Sequence, residues 1–194
     1  MRTVSALILT AALTATLATP AAADEVAAPT AVRSKTIGID GGVAMPTGDW
    51  GDAAGFGFGA LARLEIPFRP AITFTARAGY IYHTSKEAEG GLGGSADSST
   101  SEIPLFAGAR YAFSRTATSE IYGAAELGLV MYRVSVDGGG ESMSSSNTNL
   151  GMTLGAGYRT GKLDLRAGLL FPDVGEVGDA MALMATVGYD ITAL

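Results

Sequence analysis

The sequence contains no cysteine, little charge and a single histidine. Without cysteine it has no disulfide framework and no thiolate metal site. Charged residues make up 16% of the chain, and a formal net charge of −6 argues against a general nucleic-acid binder. No calcium-binding loop with the EF-hand spacing occurs. We therefore expect no metal site, no cofactor and no nucleic-acid partner.

Long apolar runs are also missing. Apart from residues 4–17, no stretch approaches the roughly 18 continuous apolar residues that a membrane-spanning helix needs. That segment follows Arg2 and leads to Ala21, Ala22 and Ala23, which fit the small-residue cleavage site of a signal peptide. We predict that residues 1–23 are a cleaved signal peptide and that residues 24–34 are a flexible periplasmic leader. The mature chain is then exported, and any insertion into a membrane must use strands.

Alternation of apolar and other side chains dominates the rest of the sequence. In residues 56–68 the even positions are all apolar, whereas the odd positions include glycine, Arg63 and Glu65. A period of two places these sets on opposite faces of a β-strand. Seven more stretches between residues 35 and 194 alternate in the same way, and the connections between them are long and short by turns. Short turns at one end and long loops at the other are typical of a transmembrane barrel.

We therefore predict an all-β fold, an eight-stranded antiparallel up-and-down transmembrane β-barrel that spans residues 35–194. The two longest polar stretches, residues 84–102 and 133–148, are rich in glycine and serine. Such composition is typical of loops, so both stretches are predicted to be extracellular loops.

The charges within the predicted strands share one parity, and that parity has few lysines. A soluble barrel would present many lysines and glutamates on its outer face. Glycine with arginines and carboxylates in similar numbers suits a narrow lumen instead, where each charge needs a partner. We predict a structural salt-bridge network that fills the barrel, in preference to a gated path or a ligand site. The predicted lumen residues are Asp40, Arg63, Glu65, Arg77, Arg110, Glu126, Arg159, Asp164, Arg166 and Asp190.

Two groups are expected within this network. Arg63 and Arg77 should lie close together across the tight turn that joins their strands, with Asp40, Glu65 and Glu126 as counter-charges. The second group, near the periplasmic rim, should consist of Arg159, Asp164, Arg166 and Asp190.

Aromatic side chains on the apolar parity concentrate near both ends of the predicted strands. A transmembrane barrel carries such aromatic girdles at its two membrane interfaces, so we predict that the apolar parity faces lipid. Trp50, in the first loop, is predicted to anchor at the interface. The predicted outer girdle contains Phe56, Phe58, Tyr80, Tyr82 and Phe171, and the predicted periplasmic girdle contains Phe68, Tyr111, Phe113, Tyr158 and Tyr189.

Residues 35–194 resemble the small eight-stranded outer-membrane β-barrel proteins of the OmpA/OmpX-like and opacity-protein-like porin family. The most family-like stretch is residues 41–52, a first strand followed by a proline and an acidic loop with the sequence Gly-Gly-Val-Ala-Met-Pro-Thr-Gly-Asp-Trp-Gly-Asp. The resemblance implies an integral protein of the Gram-negative outer membrane. Its partners would be membrane lipid, lipopolysaccharide and the barrel-assembly machinery. One departure is the last residue, Leu194, where the family usually has a lipid-facing aromatic residue.

Three functions fit such a barrel. The first is a structural or surface-interaction role, with a largely plugged interior and acidic loops that meet an extracellular partner. The second is a narrow channel or lateral carrier for small molecules, as in OmpW-like proteins. The third is a lipid A-modifying enzyme, because His83-Thr84-Ser85 resembles the His and Ser of lipid A hydrolases and Asp97 or Glu102 could orient the imidazole. We favour the first function, and we expect a monomer that is not an enzyme, since His83 falls on the lumen parity.

Overall fold

A computed structural model describes residues 34–84, 97–138, 141–176 and 180–193. Within these ranges eight antiparallel strands form a closed barrel, in which each strand pairs with its neighbours in the chain and β1 pairs with β8. The predicted signal peptide and almost all of the predicted leader lie outside the described residues. The elements are β1 (Thr36–Thr47), α1 (Gly48–Ala53), β2 (Gly57–Arg69), β3 (Ile72–His83), β4 (Asp97–Arg115), β5 (Ser119–Gly138), β6 (Glu141–Thr160), β7 (Leu163–Phe171), a 3₁₀ helix (Val174–Glu176) and β8 (Met181–Ala193).

The period of two decides which side chains face outward. Phe58 and Leu127 lie on the outer surface and are 50% and 49% exposed, whereas the lumen residues Leu61 and Arg63 are 1% and 5% exposed. The outer surface is apolar across all eight strands, so the barrel has the amphipathic pattern of a wall with lipid outside. No described helix has the length and apolar character needed to span a bilayer.

The start of β1, the end of β8 and the three short turns lie at one end of the barrel, which we call the periplasmic end. In the turn between β6 and β7, Gly161 has a φ of 57°, a left-handed conformation that favours glycine. The opposite end, called the outer end, carries α1, the end of β3 and the 3₁₀ helix.

Three strands continue well past the wall at the outer end. β4, β5 and β6 have 19, 20 and 20 residues, and 20 residues at about 3.3 Å each exceed the apolar band of an outer-membrane barrel, which is about 25 Å tall. We call residues 97–102 of β4, 133–138 of β5 and 141–149 of β6 the projecting sheet.

The predicted extracellular loops are therefore partly wrong. Residues 97–102 and all of residues 133–148 that the structure describes belong to strands, because each segment pairs with a neighbouring strand over its full length. Polar composition indicated loops, yet the backbone of the serine-rich segment of β6 pairs with β5 throughout its described length. Cross-strand pairing overrides the loop-like composition here.

The lipid-facing position of Leu127 can be tested by introducing a charge. Leu127 lies near the middle of the outward face of β5, so Leu127→Lys should lower the free energy of unfolding in bilayers by about 2–4 kcal/mol. Ser144→Lys, on the exposed projecting sheet, is the control and should change it by less than about 0.5 kcal/mol. Denaturant titrations of the folded protein in lipid vesicles measure both, and equal effects of the two changes would contradict the orientation.

Candidate functional site

The lumen is divided into a charged layer toward the periplasmic end and an apolar layer toward the outer end. In the charged layer, Glu65 and Asp164 are the acceptors that most guanidinium groups share. The Nη2 atom of Arg159 lies 2.7 Å from Glu65 Oε1 and 2.7 Å from Asp164 Oδ2. Arg63 Nη1 lies 2.6 Å from the same Glu65 oxygen, and Arg110 Nη1 lies 2.9 Å from it. These five side chains are almost fully buried.

Glu126 is a second acceptor, higher in the barrel. Its Oε2 atom lies 3.0 Å from Arg166 Nη2 and 3.4 Å from Arg77 Nη1. Thr75 and Thr153 each donate a hydroxyl hydrogen bond of 2.8 Å to its carboxylate. A buried carboxylate with this many donors stays charged without an unsatisfied oxygen.

Asp40 joins the two acceptors into one network. Its Oδ1 atom lies 3.0 Å from Arg63 Nε, and its Oδ2 atom accepts a hydrogen bond of 3.1 Å from Arg77 Nε. Arg63 and Arg77 are directly opposite each other in the β2–β3 register, and the carboxylate between them offsets their repulsion.

The grouping expected from the sequence differs in one respect. Arg159, Asp164 and Asp190 do not form a separate rim group, because Asp190 Oδ1 lies 3.0 Å from Arg63 Nη2 and ties them to the central network. Arg166 lies with Glu126, apart from the other three. Strands that are distant in sequence meet across a narrow lumen. The position of a charge along the barrel axis, and not its strand, therefore decides which charges it pairs with.

Sequence reasoning missed three members of the charged layer. Glu120 lies 3.2 Å from Arg110 Nε and 2.6 Å from Arg115 Nη2. The Tyr122 hydroxyl donates to Asp164 Oδ1, and the Arg110 guanidinium lies over the Tyr122 ring at 4.6 Å. A Cβ at Gly157 would overlap that ring, so glycine makes the room for it. Glu120 and Tyr122 share the lumen parity of β5, a signal that could have found both.

The described charges of this layer are balanced. It contains six arginines, Arg63, Arg77, Arg110, Arg115, Arg159 and Arg166, and six carboxylates, Asp40, Glu65, Glu120, Glu126, Asp164 and Asp190. Each of these charges has an opposite partner within 4 Å, as buried charges require.

The predicted girdle residues lie on the outer face with one exception. Phe171 is 7% exposed and does not face lipid. β7 ends at this residue while β6 beside it continues toward the projecting sheet, so the chain leaves the wall at Phe171 and the alternation no longer decides its direction. Tyr82 is half-buried and packs against Phe58, with ring centroids 5.6 Å apart. The remaining predicted girdle residues are all largely exposed. They are Phe56, Phe58, Tyr80, Phe68, Tyr111, Phe113, Tyr158 and Tyr189.

The apolar layer closes the outer half of the lumen. Trp50 on α1 packs against this layer from above, so its predicted role as an anchor at the membrane interface is wrong. The helix turns the ring inward, where it meets His83 at 5.2 Å and Tyr132 at 6.4 Å between ring centroids. The buried members of the layer are Ala44, Ile81, Phe106, Val130, Leu170 and Ala182.

His83 and Glu102 form a buried pair beneath Trp50. Both side chains are fully buried, and His83 Nε2 lies 2.9 Å from Glu102 Oε1. His83 Nδ1 lies 3.1 Å from the Gly55 carbonyl oxygen, which can only accept, so Nδ1 carries the hydrogen. Of the two residues predicted to orient the imidazole, Asp97 and Glu102, it is Glu102 that contacts it. The pair faces the lumen, and Ser85, the other residue of the predicted motif, lies outside the described residues.

A cleft of about 660 Å³ opens at the outer end, above the apolar layer. We call it the outer cleft. Its walls come from α1, the projecting sheet, and the segment around the 3₁₀ helix. The side chains that bear charge or an aromatic ring are Asp49, Trp50, Tyr132, Asp173 and Glu176.

Solved structures of small outer-membrane barrels share this fold. Ail, the attachment invasion locus protein of Yersinia pestis, is 14% identical with a TM-score of 0.53, over 82% of this chain and 98% of that chain. Its complex with the heparin analogue sucrose octasulfate has a TM-score of 0.55 at the same identity and coverage. Neisserial surface protein A is 21% identical, with a TM-score of 0.47 over 81% of this chain and 97% of that one. No protein-family model matches the chain, and no curated protein matches it in sequence.

The chain therefore has the fold of a small eight-stranded outer-membrane β-barrel, which confirms the fold class predicted from its alternation and its connections. A closed barrel with this apolar outer wall belongs in the outer membrane of a Gram-negative cell.

The charged layer can be tested at Arg159, which serves both central acceptors. Arg159→Ala leaves Glu65 and Asp164 with an excess of buried negative charge, so it should lower the free energy of unfolding by about 3–5 kcal/mol. Arg133→Ala, at an exposed position, is the control and should change it by less than about 0.5 kcal/mol.

Adding Glu65→Gln to Arg159→Ala should recover part of the loss, because the double variant again has equal numbers of positive and negative charges in the layer. Denaturant unfolding of the three variants in the same lipid is the measurement. A double variant less stable than Arg159→Ala would show that charge balance is not the cause.

Proposed function

We propose that the protein is a surface barrel of the outer membrane that does not conduct, and that its outer end binds an extracellular partner. One geometric observation supports both halves of this proposal. The lumen is filled from wall to wall, while three strands of the same wall extend beyond it.

The filled lumen argues against a channel or carrier. Eight strands leave an interior just wide enough for side chains. In the charged layer that space holds Arg159, Glu65 and Asp164 in direct contact. In the apolar layer, Leu170 and Val130 are fully buried. A hydrated ion would have to break the network in one layer and enter an apolar constriction in the other.

The projecting sheet offers a backbone edge for binding. β6 pairs with β7 only from Met152 onward, so among the described residues its segment 141–151 has a strand on one side only, contributed by β5. An open strand edge presents unpaired backbone N–H and C=O groups that an extended peptide can join. The exposed residues from Ser144 to Thr148 are polar, mainly serine, which keeps this part of the edge soluble.

The charge of the outer end restricts the partner. Asp49, Asp52 and Glu176 are exposed there, and three further acidic residues of the sequence, Glu87, Glu89 and Asp179, lie in stretches that the structure does not describe. The sucrose octasulfate found with Ail is a polyanion, and an acidic outer end repels such a ligand. We therefore propose a neutral or basic partner, together with lipopolysaccharide contacts through divalent cations, for a barrel that is inserted by the assembly machinery as a monomer.

A catalytic role is not part of this proposal. His83 is sealed between Trp50, Gly55 and Glu102 and does not face lipid. Expression of the protein should accordingly leave the mass spectrum of cellular lipid A unchanged.

Conductance measures whether the lumen is closed. The purified protein in planar bilayers should give no current steps above the empty-membrane baseline, because no wet path crosses both layers. A steady current that disappears in Arg77→Ala or Glu126→Gln would contradict the proposal and favour the channel.

Shortening the projecting sheet tests the binding half of the proposal. Arg133 and Ser146 are opposite each other in the β5–β6 register, so residues 134–145 can be replaced by Asn-Gly, which forms a two-residue hairpin turn. The barrel should still fold, since the replaced residues lie above the wall. Cells that display the wild type should bind a panel of immobilised extracellular proteins, and cells with the shortened variant should lose that binding at least tenfold. Equal binding by both, or none by the wild type, would overturn the surface role.

A further inference from the structure

The lining of the outer cleft is strongly biased toward negative charge. Asp49, Asp173 and Glu176 carry carboxylates, and no basic side chain is among the described residues that line it. Asp173 accepts a hydrogen bond of 2.7 Å from the Gly175 backbone, which holds it in place. Within the described ranges neither Asp49 nor Glu176 has an ion-pair partner, so no ion pair among those residues offsets the negative charge of the cleft.

Two aromatic rings form the inner wall of the same cleft. Trp50 and Tyr132 meet edge to face, with an angle of 89° between their planes. Both rings rest on the apolar layer. A cleft that is apolar and aromatic at its base and acidic at its rim is complementary to a molecule with an apolar body and a positive group, since cations are attracted to the faces of aromatic rings.

A third, separate observation comes from below the rings. Glu102 is the next lumen-facing residue on β4 after Thr100, which lines the cleft, and it is opposite Tyr132 in the β4–β5 register. Its side chain is fully buried, and its Oε2 atom has no hydrogen-bond partner among the described residues. This oxygen is an unpaired acceptor beneath the two rings, which favours positive over negative charge in the cleft above them.

The arrangement does not suit a metal ion. A bound metal needs several oxygen or nitrogen ligands that converge on one point, and the described part of the chain brings no group of three or more His, Asp or Glu residues together in that way. An organic cation does not need such a converging set of ligands, so the acidic rim suits it better than it suits a metal ion.

We propose that the outer cleft binds a small organic cation, an ammonium or guanidinium compound with an apolar or aromatic body. The body lies against Trp50 and Tyr132, and the positive group lies between the carboxylates of Asp49 and Glu176. This inference rests on the closed lumen proposed above, because a cleft continuous with an open lumen would not retain a ligand.

Trp50 makes the test direct, because it is the single tryptophan of the chain. The full-length barrel, folded in uncharged detergent, is titrated with 2-phenylethylammonium, and tryptophan fluorescence is recorded. The uncharged analogue 2-phenylethanol has nearly the same size and apolar body. We expect a saturable change with the cation, an affinity at least fivefold lower for the alcohol, and no response to sucrose octasulfate.

Matched variants locate the positive group. Asp49→Asn and Glu176→Gln should each weaken binding of 2-phenylethylammonium by about two- to fivefold, the usual effect of one exposed charge. Asp52→Asn removes a charge from the same short helix but outside the cleft, so it should leave the affinity unchanged. All three residues are exposed, so the barrel should fold in each variant, and circular dichroism verifies this.

The aromatic wall has its own pair of variants. Tyr132→Phe keeps the ring and should keep the affinity, whereas Tyr132→Leu should reduce it about fivefold. The inference is overturned if the cation gives no saturable response, if the alcohol binds equally well, or if Asp52→Asn weakens binding as much as Glu176→Gln. A barrel that conducts would overturn the closed lumen, whereas a closed barrel that fails this titration would overturn the cation site alone.

Discussion

The closed hydrogen-bonded wall is the constraint from which the rest of the structure follows. A lipid bilayer offers no water to unpaired backbone groups, so the edges of a spanning sheet must meet, and here β1 pairs with β8. Eight strands close around a lumen that side chains alone can fill. Whatever faces inward must therefore pack against the opposite side of the barrel, and every inward charge must find its partner there.

The two layers of the lumen are two solutions to this packing problem. In the lower layer, arginines and carboxylates in equal number form a network centred on Glu65, Asp164 and Glu126. Planar guanidinium groups with several donors let one carboxylate serve several strands at once. In the upper layer, apolar side chains fill the space and need no partners. Together the layers account for a barrel whose lumen carries much buried charge, each charge with an opposite partner.

At the outer end the membrane no longer constrains the chain. There α1 turns Trp50 over the apolar layer, and β4, β5 and β6 continue as a free-standing sheet. The cleft between them combines exposed carboxylates with aromatic rings, a combination that the interior of the wall could not tolerate. Barrels of one fold serve different functions, and they do so through surfaces of this kind.

The number of strands, their order and the face that meets lipid could all be predicted from the sequence, because a period of two repeated over eight stretches has few other solutions. The same alternation identified Asp40, Arg63 and Glu126 as lumen residues, since parity alone decides inward or outward. The pairing of those charges could not be predicted, because partners such as Arg159 and Glu65 are 94 residues apart and meet only across the closed barrel.

Only the tertiary structure decided the features at the strand ends, where alternation no longer predicts the direction of a side chain. The inward turn of Trp50, the burial of Phe171 and the strand conformation of residues 133–138 each contradict what local composition indicated. The physical reason is common to all three. Within the wall, each side chain faces either lipid or the narrow lumen, so alternation decides its direction. Beyond the wall, contacts with residues that are distant in sequence decide it.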